Sequence, residues 1–366
     1  MGVLNHLSTF LLLSLLPPAL SHVVDKFSDV TDCNDFFMNG TTPNLPGILV
    51  DGIVQNQNRY KPICQKYNNI YRFATLYDTT NRIPVFSAYT FTGKGKSLRR
   101  AWMIEPQLEN ENVKLNMKCC KVVNNQAADA DYYKNGMHLE RGHLFPCSYT
   151  PDNDTKRSTF TLTNAVPQAS SFNKGSWKTM EGRVRTALVN NCKDNNNKIK
   201  AYIEAYVVTG AVPNNNNNQL KERVNIPDLL WTAFCCYNNE KKEWMAGAHW
   251  GVNQEETNKQ VLNPHTLSEL YDKLKQHYPG DGDVQVFPER CSNAKIPTEL
   301  ENDDSSDVQG IPNKRRKVDT PRALPLKDGG DEHDYCVYDD DCVCSSVGVK
   351  GYYLPVVFVS VLVMMM

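Results

Sequence analysis

A histidine, an amide, a carboxylate and two arginines share one stretch of this chain. It runs from His138-Leu-Glu140-Arg141-Gly142-His143 through Asn164-Ala-Val-Pro-Gln168 to Asn173-Lys-Gly-Ser-Trp177-Lys-Thr-Met-Glu181-Gly-Arg-Val-Arg185. Together these residues offer each role that metal-assisted hydrolysis of a phosphodiester requires. A neutral imidazole such as His143 can take a proton from water near neutral pH. The side-chain carbonyl of Asn173 is a hard oxygen suited to Mg²⁺, which keeps most of its waters and needs few protein atoms. Glu181 can bind the metal directly or hold those waters. Arg141 and Arg185 are planar forks able to neutralise charge that builds on phosphate oxygens. Taken singly, each residue is more commonly structural: a Glu/Arg pair on a helix surface is worth little, and Arg141-Gly142 can be a plain turn. The joint pattern is what points to chemistry.

Local patterning supplies elements that could bring these groups together. Ser158 to Asn164 alternates polar and apolar residues and is rich in β-formers, which predicts a strand. From Ser176 the period changes: Trp177, Met180, Val184 and Leu188 recur at spacings of three and four and mark one buried helix face. Glu181 and Arg185, four apart, lie on one flank of that helix and can pair. Asn173 falls just before its start. A strand carrying His143, a loop, a second strand and a helix with Asn173 at its mouth make a β-β-α unit that could clasp one metal ion.

These residues resemble the DNA/RNA non-specific endonucleases of the ββα-metal type, which include mitochondrial endonuclease G and bacterial secreted nucleases. Their signature is Asp-Arg-Gly-His followed by Asn-x-x-Pro-Gln-x-x-x-x-Asn-x-Gly-x-Trp-x-x-x-Glu, and the second part is matched here from Asn164 to Glu181 without a gap. A closer likeness, to a vertebrate group of such endonuclease-domain proteins, extends from the apolar N-terminus through about residue 291, including Ile63-Cys-Gln-Lys-Tyr67 and Phe73-Ala-Thr-Leu-Tyr77-Asp78. The resemblance implies that His143 is the general base and Asn173 the one direct protein ligand of Mg²⁺, with Mn²⁺ able to substitute. It implies that Glu181 holds water on the metal, that Arg141 and Arg185 lie near the phosphate, and that Asn164 and Gln168 orient the groups around them. Arg100, in Arg100-Ala-Trp102-Met-Ile-Glu105-Pro106, matches a family arginine that faces the transition state, with Arg99 beside it as the other register. One departure stands out: Glu140 replaces the first aspartate of the signature. The extra methylene moves the carboxylate by about one bond length, and small misplacements of a supporting group cost rate.

The chain has 366 residues, 40% of them apolar, enough for one large or two modest domains. A net charge of −1 carries no nucleic-acid footprint. Binding to a polyanion would rest on local charge such as Lys94-Gly-Lys96-Ser-Leu-Arg99-Arg100, which is equally well read as a solvated loop. Leu4 to Leu20 is largely apolar and ends at Ala19-Leu20-Ser21, the small-residue spacing of a cleaved secretory signal covering residues 1–21. All twelve cysteines follow it, an even number that favours disulfides over a zinc site. Cys147, four residues past His143, could brace the active-site loop. Asn39-Gly-Thr41 and Asn153-Asp-Thr155 are glycosylation candidates in a secreted chain.

Further strands are expected over Ala201–Gly210, Leu229–Tyr237 and Trp244–Trp250, and a helix over Thr266–His277. The outcome is an α+β fold, a ββα-metal nuclease architecture with a central, mostly antiparallel sheet and packed helices over residues 22–291. His249, inside an apolar strand, reads as a core histidine. Residues 292–350 shift to an acidic, polar composition expected to stay disordered, with the basic cluster Lys314-Arg-Arg-Lys317 inside it. The tail at 351–366 is apolar but short for a membrane-spanning helix, and suits either a glycolipid-anchor signal or plain secretion. Two functions of different class follow. One is a secreted, Mg²⁺-dependent endonuclease acting on the phosphate backbone of DNA or RNA, touching a membrane only if the tail anchors it. The other is a catalytically weak extracellular binding or immune-type protein built on the same scaffold, a reading that Glu140 and the neutral net charge favour.

Overall fold

The computed structural model describes residues 23–93, 101–110, 123–194, 202–258 and 260–301. Eight strands matter here: β1 Tyr60–Tyr67, β2 Ile70–Asp78, β3 Ile83–Phe91, β4 Leu139–His143, β5 Ala165–Ala169, β6 Ala205–Val212, β7 Leu229–Asn238 and β8 Glu243–Val252. The helices used with them are α1 Asp129–Tyr132, α2 Asn153–Thr159, α3 Lys178–Asn191, α4 Leu267–Lys275, α5 Glu289–Ser292 and α6 Thr298–Glu301. Six strands form one sheet in the order β8-β7-β6-β3-β2-β1, antiparallel at every junction. β4 and β5 pair with each other as a separate antiparallel ribbon. The α+β architecture expected from the sequence is the one observed, and the strands expected at 201–210, 229–237 and 244–250 lie within a few residues of β6, β7 and β8.

Both faces of the large sheet are covered, so its strands alternate between two apolar clusters rather than between core and water. Along β7, Leu230, Phe234 and Cys236 face the layer formed by the β4–β5 ribbon and α3. Trp231, Ala233 and Cys235 face the layer formed by the N-terminal segment around Phe27 and Phe37 and by α4. The same alternation explains the vicinal cysteines. Cys236 is bridged to Cys192 at the end of α3, and Cys235 to Cys291 in α5 on the opposite face. A third bridge, Cys33–Cys64, ties the N-terminal segment to β1. Thr266 starts α4 with a capping box, its hydroxyl accepting from Glu269 N–H while the Glu269 carboxylate accepts from Thr266 N–H at 2.7 Å.

Two local expectations are corrected. The strand expected over Ser158–Asn164 is instead the last turn of α2 followed by a tight turn at Leu162–Asn164, and β5 begins only at Ala165. Hydroxyls decide this. Asp152 caps α2 by accepting from the N–H groups of Asp154 and Thr155, and Ser158 and Thr159 donate back to the carbonyls of Thr155 and Lys156. Ser158 and Thr159 therefore serve a helix, while Thr161 donates to Met103 O and Thr163 accepts from the Gln65 amide. The helix expected from Ser176 begins earlier, as a turn at Ser170–Phe172 and a wide π-turn at Asn173–Trp177 that runs into α3. Asn173 lies inside that wide turn and not ahead of the helix. The fold also continues past the boundary expected at 291, because α6 packs on α3: Leu300 is buried and its carbonyl accepts from Arg183. The basic run from Lys94, the cluster at Lys314–Lys317, and the apolar segments at both ends lie outside the described residues.

Candidate active site

The β4–β5 ribbon and the wide turn behind it collect most of the residues singled out by chemistry. Pairing sets Glu140 opposite Gln168, Gly142 opposite Val166 and His143 opposite Ala165. Gly142 is required by packing, since a Cβ there would sit 2.2 Å from the Gln168 side-chain oxygen. Gln168 is buried, with both amide atoms lacking a hydrogen-bond partner. Asn164 is likewise buried, yet every polar atom of its side chain is engaged. Its oxygen accepts from Phe145 N–H and from the Ser87 hydroxyl, each at 2.9 Å, and its amide donates to the carbonyls of Phe145 and Thr159. It pins the chain just beyond His143 to the start of β5 and to β3.

Alternation along β4 sends its functional side chains to two sides. On one side Glu140 forms a clasp: one carboxylate oxygen accepts from Ser170 Oγ at 2.8 Å and from Lys174 Nζ, the other from Asn173 Nδ2 at 3.0 Å. The longer carboxylate that replaces the family's aspartate thus reaches three donors. By fixing which end of the Asn173 amide donates, it commits Oδ1 to act as an acceptor. On the other side, the His143 ring lies 4.8 Å from the rings of both Trp102 and Phe160. Arg141 stacks over Tyr132 and Trp102 and bonds to Asp129 at 2.5 Å. Among the described contacts, His143 and the Asn173 clasp are linked through the strand and not by a shared hydrogen bond.

Desolvation dominates the titration of the site. Burial pushes the His143 imidazole down to about 3, so it is neutral at physiological pH, and its Nε2 is a buried atom with no partner. Burial pushes the Glu181 carboxyl up to about 8. Three groups hold it back: the Trp177 indole N–H, which lies toward it short of full hydrogen-bond geometry, and the charges of Arg185 and Lys178. Both residues keep part of their surface open to solvent while the titrating atoms lie inside. Tyr149 donates to the Glu181 carbonyl at 2.7 Å and holds the start of α3. The wide turn also sets phase: eight residues of regular helix would leave Asn173 and Glu181 about 80° apart, and absorbing one residue in a π-turn brings them within about 20° of one face.

Several positioning groups were not visible in the sequence. Trp102 reaches His143 because Met103 pairs with the 160–162 segment, donating to Phe160 O and accepting from Leu162 N–H. A strap following β8 holds the ribbon and the wide turn from outside. Asn253 accepts from Ala169 N–H and donates to Pro167 O, each at 2.9 Å. Glu255 accepts from Ser171, and Glu256 accepts from the N–H and hydroxyl of Ser176. Gly175 makes room for it, since a Cβ there would lie 2.6 Å from the Glu256 carboxylate. Cys147 is disulfide-bonded. His249 is buried and donates from Nδ1 to Leu262 O at 3.0 Å, with its pKa lowered to about 4 by burial, as a core histidine. Asn39 and Asn153 are both exposed, although the Thr155 hydroxyl of the second sequon is tied to Asp152. Arg100 and Arg99 lie outside the described residues.

The residues present fit a hard, largely hydrated divalent ion: one committed carbonyl oxygen from Asn173, with a carboxyl two helical turns on. Among the described residues no group of three or more His, Cys, Asp and Glu side chains could cage a metal.

The family model described as DNA/RNA non-specific endonuclease matches residues 54–272, more than half of the chain. Human endonuclease domain-containing 1 protein is 27% identical over 328 residues, covering 86% of this chain and 58% of that protein. The mouse protein of the same name is 29% identical over 280 residues, covering 73% and 49%. The chain thus spans about half the length of these relatives. A solved structure described as an EndoG/EndoGI complex is 17% identical with a TM-score of 0.41, covering 58% of this chain and 84% of that one.

Proposed function

The chain belongs to the DNA/RNA non-specific endonuclease family, and from that premise we propose that it is a metal-dependent endonuclease that hydrolyses phosphodiester bonds of DNA or RNA with little sequence preference. The observation that carries this is the Glu140–Asn173 clasp, which presents one fixed carbonyl oxygen beside a ribbon bearing a neutral imidazole. Asn173 Oδ1 would hold the divalent ion, Mg²⁺ with Mn²⁺ able to substitute. Bound there, the ion supplies polarisation of the phosphate and stabilisation of the leaving oxygen. His143 accepts the proton of the attacking water, which a neutral ring can do without first losing one of its own. Glu181 accepts hydrogen bonds from water beside Asn173. Arg141 and Arg185, with Arg100, offset charge on the phosphate. Asn164 and Gln168 fix the ribbon. Because these groups address phosphate, sequence information is not read.

The three disulfides of the described residues, together with the apolar N-terminus, support an oxidising compartment and secretion. The tail at 351–366 would tie the chain to a membrane only by serving as an anchor or anchor signal. Nicking of supercoiled plasmid by the purified protein tests the enzyme reading. Cleavage is expected with Mg²⁺, is abolished by chelator, and falls about 10²- to 10⁴-fold in His143→Ala, the usual yield of a general base. Cleavage that ignores chelator, or equal cleavage by the variant, leaves the binding-scaffold reading in its place.

A further inference from the structure

Two of the large apolar side chains most open to solvent among the described residues, Tyr133 at 56% and Met137 at 46%, stand on one short loop between α1 and β4. Lys134 and His138 on the same loop are exposed as well. The loop is braced from within and from across. Asn135 donates to the carbonyls of Tyr132 and Leu139, both at 2.9 Å, and accepts from the N–H groups of Met137 and Leu139. Lys221 donates to the carbonyls of Ala130 at 2.6 Å and Tyr133 at 2.7 Å. Lys134 and His138 are both held in the left-handed region, at φ 46° and 53°. Non-glycine residues keep that conformation only where their surroundings over-determine it, and such places cluster at ligand sites.

The loop runs directly into the candidate site. His138 O accepts from Ser170 N–H at 3.0 Å, the first residue of the turn that carries Asn173, and Glu140 follows two residues later. The acids that border it are already paired, Asp129 with Arg141, Asp131 with Arg223 and Glu140 with Lys174. The Lys134 ammonium lies 5.2 Å over the Tyr133 ring, placing a cation against the aromatic surface. A ring, a thioether and a cation on a rigid support, open to water and continuous with a phosphate-directed site, match the chemistry that holds single-stranded nucleic acid by base stacking.

We propose that Tyr133, with Met137 and Lys134, is a stacking platform for one unpaired nucleobase of the substrate strand beside the bond to be cut. This rests on the nuclease reading and adds a subsite to it: the platform engages the π-face of any base, and Lys134 the adjoining phosphate. A base inside a duplex is already stacked, so the platform favours single strands and frayed or looped regions over intact duplex.

The test measures binding, not cleavage. Full-length His143→Ala protein is titrated against a fluorescent mixed-sequence single-stranded oligonucleotide, the same strand with abasic sites, and a duplex, with anisotropy as the readout. Adding Tyr133→Ala is expected to weaken binding of the normal strand about 5- to 150-fold, the range for losing one base–aromatic stack. Tyr133→Phe restores it, the abasic strand binds weakly whether or not Tyr133 is present, and duplex binding is unchanged by the substitution. Loss of less than twofold on the normal strand overturns the platform, as does equal loss on the abasic strand. If protein with intact Tyr133 binds neither strand nor duplex, the nucleic-acid reading itself falls and the platform with it; binding that ignores Tyr133 sinks the platform alone.

Discussion

Replacing Glu140 by glutamine keeps the side chain's shape and removes its charge, and the clasp shows what that costs. One carboxylate oxygen now serves Asn173 Nδ2 at 3.0 Å, the other Ser170 Oγ at 2.8 Å and Lys174 Nζ. A glutamine offers one acceptor and one donor, so either the Asn173 amide or the Ser170–Lys174 pair faces a donor in place of an acceptor. Hydrogen bonds to a charged group contribute about 1.5–3 kcal/mol. The Lys174 ammonium, 65% exposed, is screened and adds little of that. The loss therefore falls mainly on the orientation of Asn173, and about 2 kcal/mol there corresponds to roughly a 30-fold weaker hold on the metal, inside the 10- to 100-fold typical of groups that orient a metal ligand. Plasmid nicking titrated with Mg²⁺ at constant ionic strength reads this directly. The half-saturating Mg²⁺ concentration is expected to rise 10- to 100-fold, while the rate at saturating metal recovers to within a few-fold. An unchanged half-saturation point, or a lost rate that no metal concentration recovers, refutes the view that Glu140 acts through Asn173.

Two further outcomes follow from groups around the same site. In chelator, unfolding titrated with urea should show opposed pH effects. His143, lowered to about 3 from its ordinary 6.5, takes up a proton on unfolding, so the stability it permits at neutral pH is lost as pH falls from about 6.5 toward 3. Glu181, raised from 4.5 to about 8, releases one, so its contribution is whole below about 4.5 and is lost as pH rises through 8. Glu181→Gln should therefore remove a loss of order 2–4 kcal/mol that the native chain suffers between pH 5 and 8, and an identical slope in both proteins would contradict the buried carboxyl. Gly175→Ala puts a methyl group 2.6 Å from the Glu256 carboxylate. It should weaken Mn²⁺-induced thermal stabilisation and raise the half-saturating metal concentration about 10-fold, the loss expected when a support of a metal ligand is displaced, whereas an unchanged metal-induced shift would show that the strap does not bear on Asn173.

Much of the site was legible because its chemistry is concentrated in short sequence separations. Glu140 and His143 share a five-residue strand, and Asn173 and Glu181 share the helical run that follows β5. The helix face formed by Trp177, Met180, Val184 and Leu188 is buried as its spacing required. The strand at 158–164 was misread for a local reason: the hydroxyls of Ser158 and Thr159 bond back to helix carbonyls, and periodicity cannot tell a hydroxyl that faces water from one that bonds a carbonyl. The wide turn at Asn173 was hidden because it depends on Glu256, some eighty residues away, reaching the backbone of Ser176.

By itself the sequence determined which groups are present, the β-β-α order that carries them, and membership of a nuclease family, since residue types and short spacings survive without coordinates. Tertiary structure alone decided what those groups experience. The burial that drives His143 down comes with the rings of Trp102 and Phe160, and burial beside Trp177 likewise drives Glu181 up. The reach of Glu140 to Asn173 comes from a turn phased by a strap beyond β8. Desolvation and orientation are sums over neighbours distant in the chain, and a linear sequence does not state which neighbours those are.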